Sequence, residues 1–187
     1  LNPGLIGNWS PGIGDASLGG WLTVLLYAIA TWFVWRLLRN WKTPNTRIER
    51  REQWFWRILF VGLVFLGINK QLDLQSAFTE IGRIMADQQG WYADRRRLQM
   101  AFIAGILIMG VTLFVLTLHL VWGAPASTLW ALLGGSGLVV FVIVRAASFH
   151  HVDIALGHRF SGLRINWLLE MGTLLVIIWS SWRRRPR

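Results

Sequence analysis

WFWRILFVGLVFLGINKQLD, residues 54–73, is the stretch on which the architecture turns. Its apolar run stops at Ile68 after fifteen residues, and a helix needs about 20 to cross a hydrocarbon core. To finish a crossing the helix has to carry on through Asn69, Lys70, Gln71, Leu72 and Asp73. Reading the segment this way sets both the number of spans and the depth of several charged groups. Asn69 and Asp73 are four apart and share a helical face. Lys70 and Asp73 are three apart and can pair.

Working outward, four further apolar blocks fall at about 21–38, 98–122, 129–149 and 165–182. Unpaired backbone groups are not tolerated in lipid, so each block predicts a helix. The expected fold is all-α: a polytopic transmembrane bundle of five spans in one domain, 1–187. The rival is four spans plus a surface or re-entrant helix. Between the second and third spans, Leu74, Phe78, Ile81 and Met85 form an apolar stripe at helical period. They predict an amphipathic external helix over about 74–89, stopped by Gly90.

Composition agrees with a membrane protein. Of 187 residues 54% are hydrophobic and 15% charged, with mean hydropathy +0.45; soluble domains carry about 25% charged residues. The net charge of +10 would suggest nucleic acid in a soluble chain. Here the basic residues cluster beside apolar runs, as topology determinants do. We therefore expect the bilayer as partner, with anionic lipids at the cytoplasmic face, and no nucleic acid. Cysteine is absent, which excludes disulfides and thiolate chemistry.

The positive-inside rule orients the spans. RNWKTPNTRIERREQWFWR (39–57) and the closing RRRPR (183–187) belong in the cytoplasm. The opening residues 1–20 lack Lys and Arg and do not read as a signal peptide. An odd number of spans then puts the N-terminus outside and the C-terminus in the cytoplasm of a bacterial inner membrane. Arg95, Arg96 and Arg97 fall outside on this scheme and count against it. Most of the 13 tryptophans lie at span ends, as an aromatic belt does. LLGGSG (132–137) offers close helix approach through small residues.

The polar residues at span ends carry the functional reading. RAASFHHVD (145–153) closes the fourth span, and RINWLLEMG (164–172) opens the fifth. With five spans, Asn69, Lys70, Asp73, Arg145, His150, His151, Asp153, Asn166 and Glu170 occupy one external layer. Ionisable groups within a membrane are costly and often mark function. His119 falls near the opposite boundary and stands apart as an interfacial or packing histidine.

Three readings of that layer stay open. In the structural one, Arg145 neutralises Glu170 or Asp73, and Lys70 snorkels to headgroups. In the metal one, His150 and Asp153, with Glu170 or Asp73 from a neighbouring span, hold a divalent transition metal, imidazole and carboxylate being the usual donors. In the metal-free one, His150 or His151 is a general base oriented by Asp153. Arg145, Asp73, Asn69, Lys70 and Asn166 complete that site around an anionic group such as a lipid phosphate.

GINKQLDLQ (67–75) and RAASFHHVD, with GWYADRRRLQ (90–99) between them, resemble a group of small bacterial multispan membrane proteins. The resemblance covers most of the chain and implies the fold without an activity. HHVD (150–153) is also similar to a pattern in intramembrane metal hydrolases of the alkaline ceramidase kind. The span number and the spacing of the other histidines depart from those enzymes, so their chemistry is not carried over. Two functions follow. One is a small enzyme or a metal- or cofactor-binding protein acting on a lipid or membrane-bound substrate. The other is a non-catalytic accessory subunit of a larger inner-membrane complex, with a membrane-protein partner.

Overall fold

A computed structural model of the chain describes residues 17–72, 81, 84, 95–146, 159–160 and 163–184. At 71, 95–103, 106, 143–146, 159–160 and 163–166 it describes the backbone alone. Five helices dominate: α1 (Leu18–Arg39), α2 (Arg47–Leu72), α3 (Arg95–Val121), α4 (Ala126–Ala146) and α5 (Ile165–Arg183). A two-residue antiparallel pair, Arg159–Phe160 with Leu163–Arg164, leads into α5. The protein is thus an all-α helical bundle. Among the described residues, one helix, Leu18–Arg39, suffices by length and composition to cross a membrane; Leu107–Val121 and Ala126–Val142 are shorter apolar stretches. Of the expected amphipathic segment 74–89 only Ile81 and Ile84 are described, both helical.

Local signals start and stop the helices. Ser17 caps α1 by accepting from the Gly20 N–H at 3.1 Å. At the start of α2, the Glu49 N–H donates to Thr46 Oγ1 at 3.1 Å, while Glu49 Oε2 accepts from the Asn45 N–H at 2.9 Å. This reciprocal arrangement satisfies backbone donors that the helix leaves open. α2 accordingly starts at Arg47, well before the apolar run that begins at Trp54. Gly123, at φ +83°, makes the turn from α3 into α4.

α1 buries Gly20, Thr23, Tyr27, Ala30, Val34 and Leu37, alternating steps of three and four that lie on one helical stripe. That stripe packs on α2 and α5. α4 and α5 pack closely because LLGGSG faces α5. A Cβ at Gly134 would stand 2.8 Å from Ile177 Cγ1, and one at Gly137 would stand 2.6 Å from Thr173 Cγ2. The expectation of small-residue contact is met there. The core joins Tyr27, Val34, Trp56, Leu63, Leu138, Leu174 and Ile177 from α1, α2, α4 and α5.

α3 joins this core only at its last turn, through Val121 with Leu118 and Leu120 against it. Leu107, Ile108, Met109, Val111, Val115 and Leu116 are each more than half exposed. Large apolar side chains also cover the outside of the other helices: Val61 is 64% exposed, Phe65 58%, Leu133 56% and Leu175 53%. Between α2, α3 and α4 lies a cavity of about 400 Å³.

Candidate functional site

Two buried polar clusters tie the helices. In the first, Lys70 Nζ at the end of α2 donates to Glu170 Oε2 on α5 at 2.8 Å. The Tyr27 hydroxyl of α1 donates to Glu170 Oε1 at 3.1 Å. Glu170 is 2% exposed. A carboxylate taken out of water this far requires a counter-charge and hydrogen bonds on its lone pairs. α1 and α2 supply them here.

In the second, Glu52 near the start of α2 is 1% exposed. Arg184, just past α5, donates to it from Nε at 2.6 Å and from Nη2 at 2.7 Å. The Thr128 hydroxyl of α4 donates to Glu52 Oε1, and Trp56 Nε1 approaches the same oxygen at 3.4 Å. The guanidinium of Arg184 also lies over the Trp41 ring, 5.2 Å from its centroid.

These contacts fix the direction of the helices. α2 meets α5 at Glu52–Arg184 and again at Lys70–Glu170, so the two run antiparallel. Along α2 the clusters are about 27 Å apart at ~1.5 Å per residue. α4 starts at the Glu52 end through Thr128, so it finishes at the Lys70 end.

The sequence-predicted residues distribute as follows. Lys70 and Glu170 come together, and Asn69 precedes Lys70, half-buried. The pairing is Lys70 with Glu170; Asp73, the other partner considered for Lys70, lies outside the described residues. Arg145 and Asn166 are described at the backbone alone, on the last turn of α4 and the first of α5. Both are at the Lys70 end of the bundle. His150, His151 and Asp153 lie outside the described residues. Among the described residues no three His, Asp or Glu side chains gather as a metal site would require. His119 is exposed.

Sequence reasoning missed Tyr27 and the whole Glu52 cluster. Tyr27 did leave a signal, since a tyrosine inside an apolar span needs a partner for its hydroxyl. Glu52 sits in a stretch read as a basic cytoplasmic link, and Arg184 in a tail read for its charge alone.

Around the Glu52 end stands a ring of arginines over tryptophans. Arg36 lies over Trp32, Arg39 over Trp35, Arg57 over Trp54 and Arg183 over Trp179, at 5.0–5.5 Å. Comparison with known proteins finds no matching family model, no similar curated protein and no similar solved structure.

Proposed function

We propose that the chain is an integral protein of a bacterial inner membrane that serves as a non-catalytic accessory subunit of a larger membrane complex. It crosses the bilayer five times, with the N-terminus outside and the C-terminus in the cytoplasm. The exposed apolar cover on every helix supports the placement, because soluble monomers rarely expose contiguous apolar patches of more than a few hundred Å². The two charged clusters agree with it. Their separation along α2 approaches the ~30 Å of a hydrocarbon core. The arginine-over-tryptophan ring stands at the end the positive-inside rule assigns to the cytoplasm.

One observation carries the accessory reading: both oxygens of Glu170 are engaged from neighbouring helices. Its two oxygens are taken by Lys70 and Tyr27, so the described part of the external layer is a closed tie between helices. Blue-native electrophoresis of gently solubilised membranes tests the reading. The chain is expected in an assembly well above its own 21.4 kDa and micelle, with the partner identified from the excised band. Migration as a lone chain sinks the subunit reading.

A second reading keeps the external layer as a site for a lipid or membrane-bound substrate. The ends of α2 and α4 and the start of α5 converge, which supports it. His150, His151, Asp153 and Arg145 would supply the chemistry, with Asp73, Asn69 and Asn166 beside them and a divalent transition metal on His150, Asp153 and Glu170. Stoichiometric metal in gently purified protein, lost in His150→Ala, would favour it over the subunit reading.

A further inference from the structure

The cavity between α2, α3 and α4 has an unusual wall and an unusual neighbour. Along α2 it is lined by Phe55, Ile58, Leu59, Gly62 and Leu66. Each facing helix also contributes a glycine, Gly110 from α3 and Gly135 from α4. Gly62 hollows the space, since a Cβ placed there meets nothing within 4 Å among the described residues, whereas one on Gly135 would stand 3.2 Å from Leu59 Cδ1. The two hydroxyls in the lining, Thr117 and Ser136, both donate to carbonyls of their own helices. The surface offered to an occupant is therefore apolar.

Arg51 is one helical turn before Phe55 and on the same face of α2. Its Nε and Nη2 are buried and have no hydrogen-bond partner among the described residues. The neighbouring carboxylate, Glu52, is already engaged by Arg184. Arg51 is not itself a lining residue; an arginine with unpaired donors one turn beyond the end of an apolar slot suits an anion attached to an apolar chain. Charge-assisted bonds to phosphate suit guanidinium geometry. The slot has the length for it. From Phe55 to Leu66 is about 16 Å of helix, close to half of a ~30 Å core and hence to one leaflet.

We infer that this cavity is a binding site for one anionic phospholipid of the cytoplasmic leaflet, its acyl chain between α2, α3 and α4 and its phosphate on Arg51. The inference rests on the membrane placement proposed above and gives the cytoplasmic anionic lipid a specific seat. It assigns a task to the loose stance of α3, whose separation from α2 and α4 makes room for the chain.

The test uses the full chain in phosphatidylcholine nanodiscs with phosphatidylglycerol added. Two quantities are read: the gain in melting temperature, and the phosphatidylglycerol retained on release into detergent, measured by native mass spectrometry. Wild type is expected to gain stability and retain one phosphatidylglycerol. Arg51→Gln and Gly62→Leu should lose both responses; Arg51→Lys should keep them in part. Arg50→Gln, at an exposed neighbour, should behave as wild type. Should Gly62→Leu fail to fold, the contrast between Arg51→Gln and Arg50→Gln decides alone. Unchanged retention in Arg51→Gln overturns the site. So does an equal stabilisation by inorganic phosphate, which would make the ligand a free anion. Alkaline carbonate extraction separates the two levels: release of the chain from membranes sinks the membrane reading itself. A chain that stays in the pellet but shows no Arg51 dependence sinks the lipid site only.

Discussion

Arg184 grips Glu52 through two nitrogens at 2.6 and 2.7 Å, across 132 residues of sequence. The pair binds the start of α2 to the end of α5 where the carboxylate is almost wholly buried. Removing one partner of such a pair leaves an uncompensated charge and costs about 3–5 kcal/mol. Arg184→Ala should therefore lower the unfolding free energy of the detergent-solubilised protein by that order. Glu52→Gln combined with Arg184→Gln should cost less than Arg184→Ala alone. Equal losses in both would mean the pair is not buried as described.

Lys70 and Glu170 give a parallel expectation at the other end. Lys70→Met alone should destabilise by about 3–5 kcal/mol, since Glu170 is left charged among apolar neighbours. Adding Glu170→Leu should recover most of the loss, and Tyr27→Phe should then cost little. Chemical or thermal melts of the three variants measure this. A double variant no better than Lys70→Met would show that Glu170 has a role beyond the tie.

The contact of α4 with α5 depends on missing side chains. Gly137→Leu should overpack the α4–α5 seam against Thr173 and cost about 1–3 kcal/mol or more. Gly172 is different: a Cβ there meets nothing within 4 Å. Gly172→Ala should be neutral, or stabilising by up to about 1 kcal/mol through helix propensity. Reversal of the two effects would contradict the packing.

The absence of native cysteine makes topology easy to read. Single cysteines at Lys42→Cys, Asp87→Cys and Ala126→Cys can be probed with a membrane-impermeant maleimide. Five spans predict labelling of Asp87→Cys in intact spheroplasts, and of the other two only after lysis. Labelling of Ala126→Cys from outside removes a crossing and with it the count of five.

Much of the bundle was legible in the sequence. Apolar blocks and small residues mark the helices and the α4–α5 seam, because both depend on local composition. The sites were legible in part. Lys70 and Glu170 stood out as charges at the edge of apolar runs, yet their mutual pairing depends on which helices become neighbours. Short-range spacing suggested Lys70 with Asp73, and the shared external layer suggested Arg145 for Glu170 or Asp73. Lys70 reaches Glu170 from α2 across to α5, two helices that pack on α1 rather than closely on each other, and the Arg145 side chain lies outside the described residues. Glu52 was hidden by its company, since a carboxylate among arginines reads as one more exposed charge. Its burial follows from the long start of α2, which the cap at Thr46 and Glu49 sets well before the apolar run.

The tie between Lys70 and Glu170 spans a hundred residues of chain, and that bears on biogenesis. In a bilayer, α2 alone would present Glu52 and Lys70 to lipid with no counter-charge, and their partners, Arg184 just past α5 and Glu170 within it, follow a hundred residues or more later. A polypeptide truncated before α5 therefore lacks both counter-charges, and the two are supplied together when α5 docks.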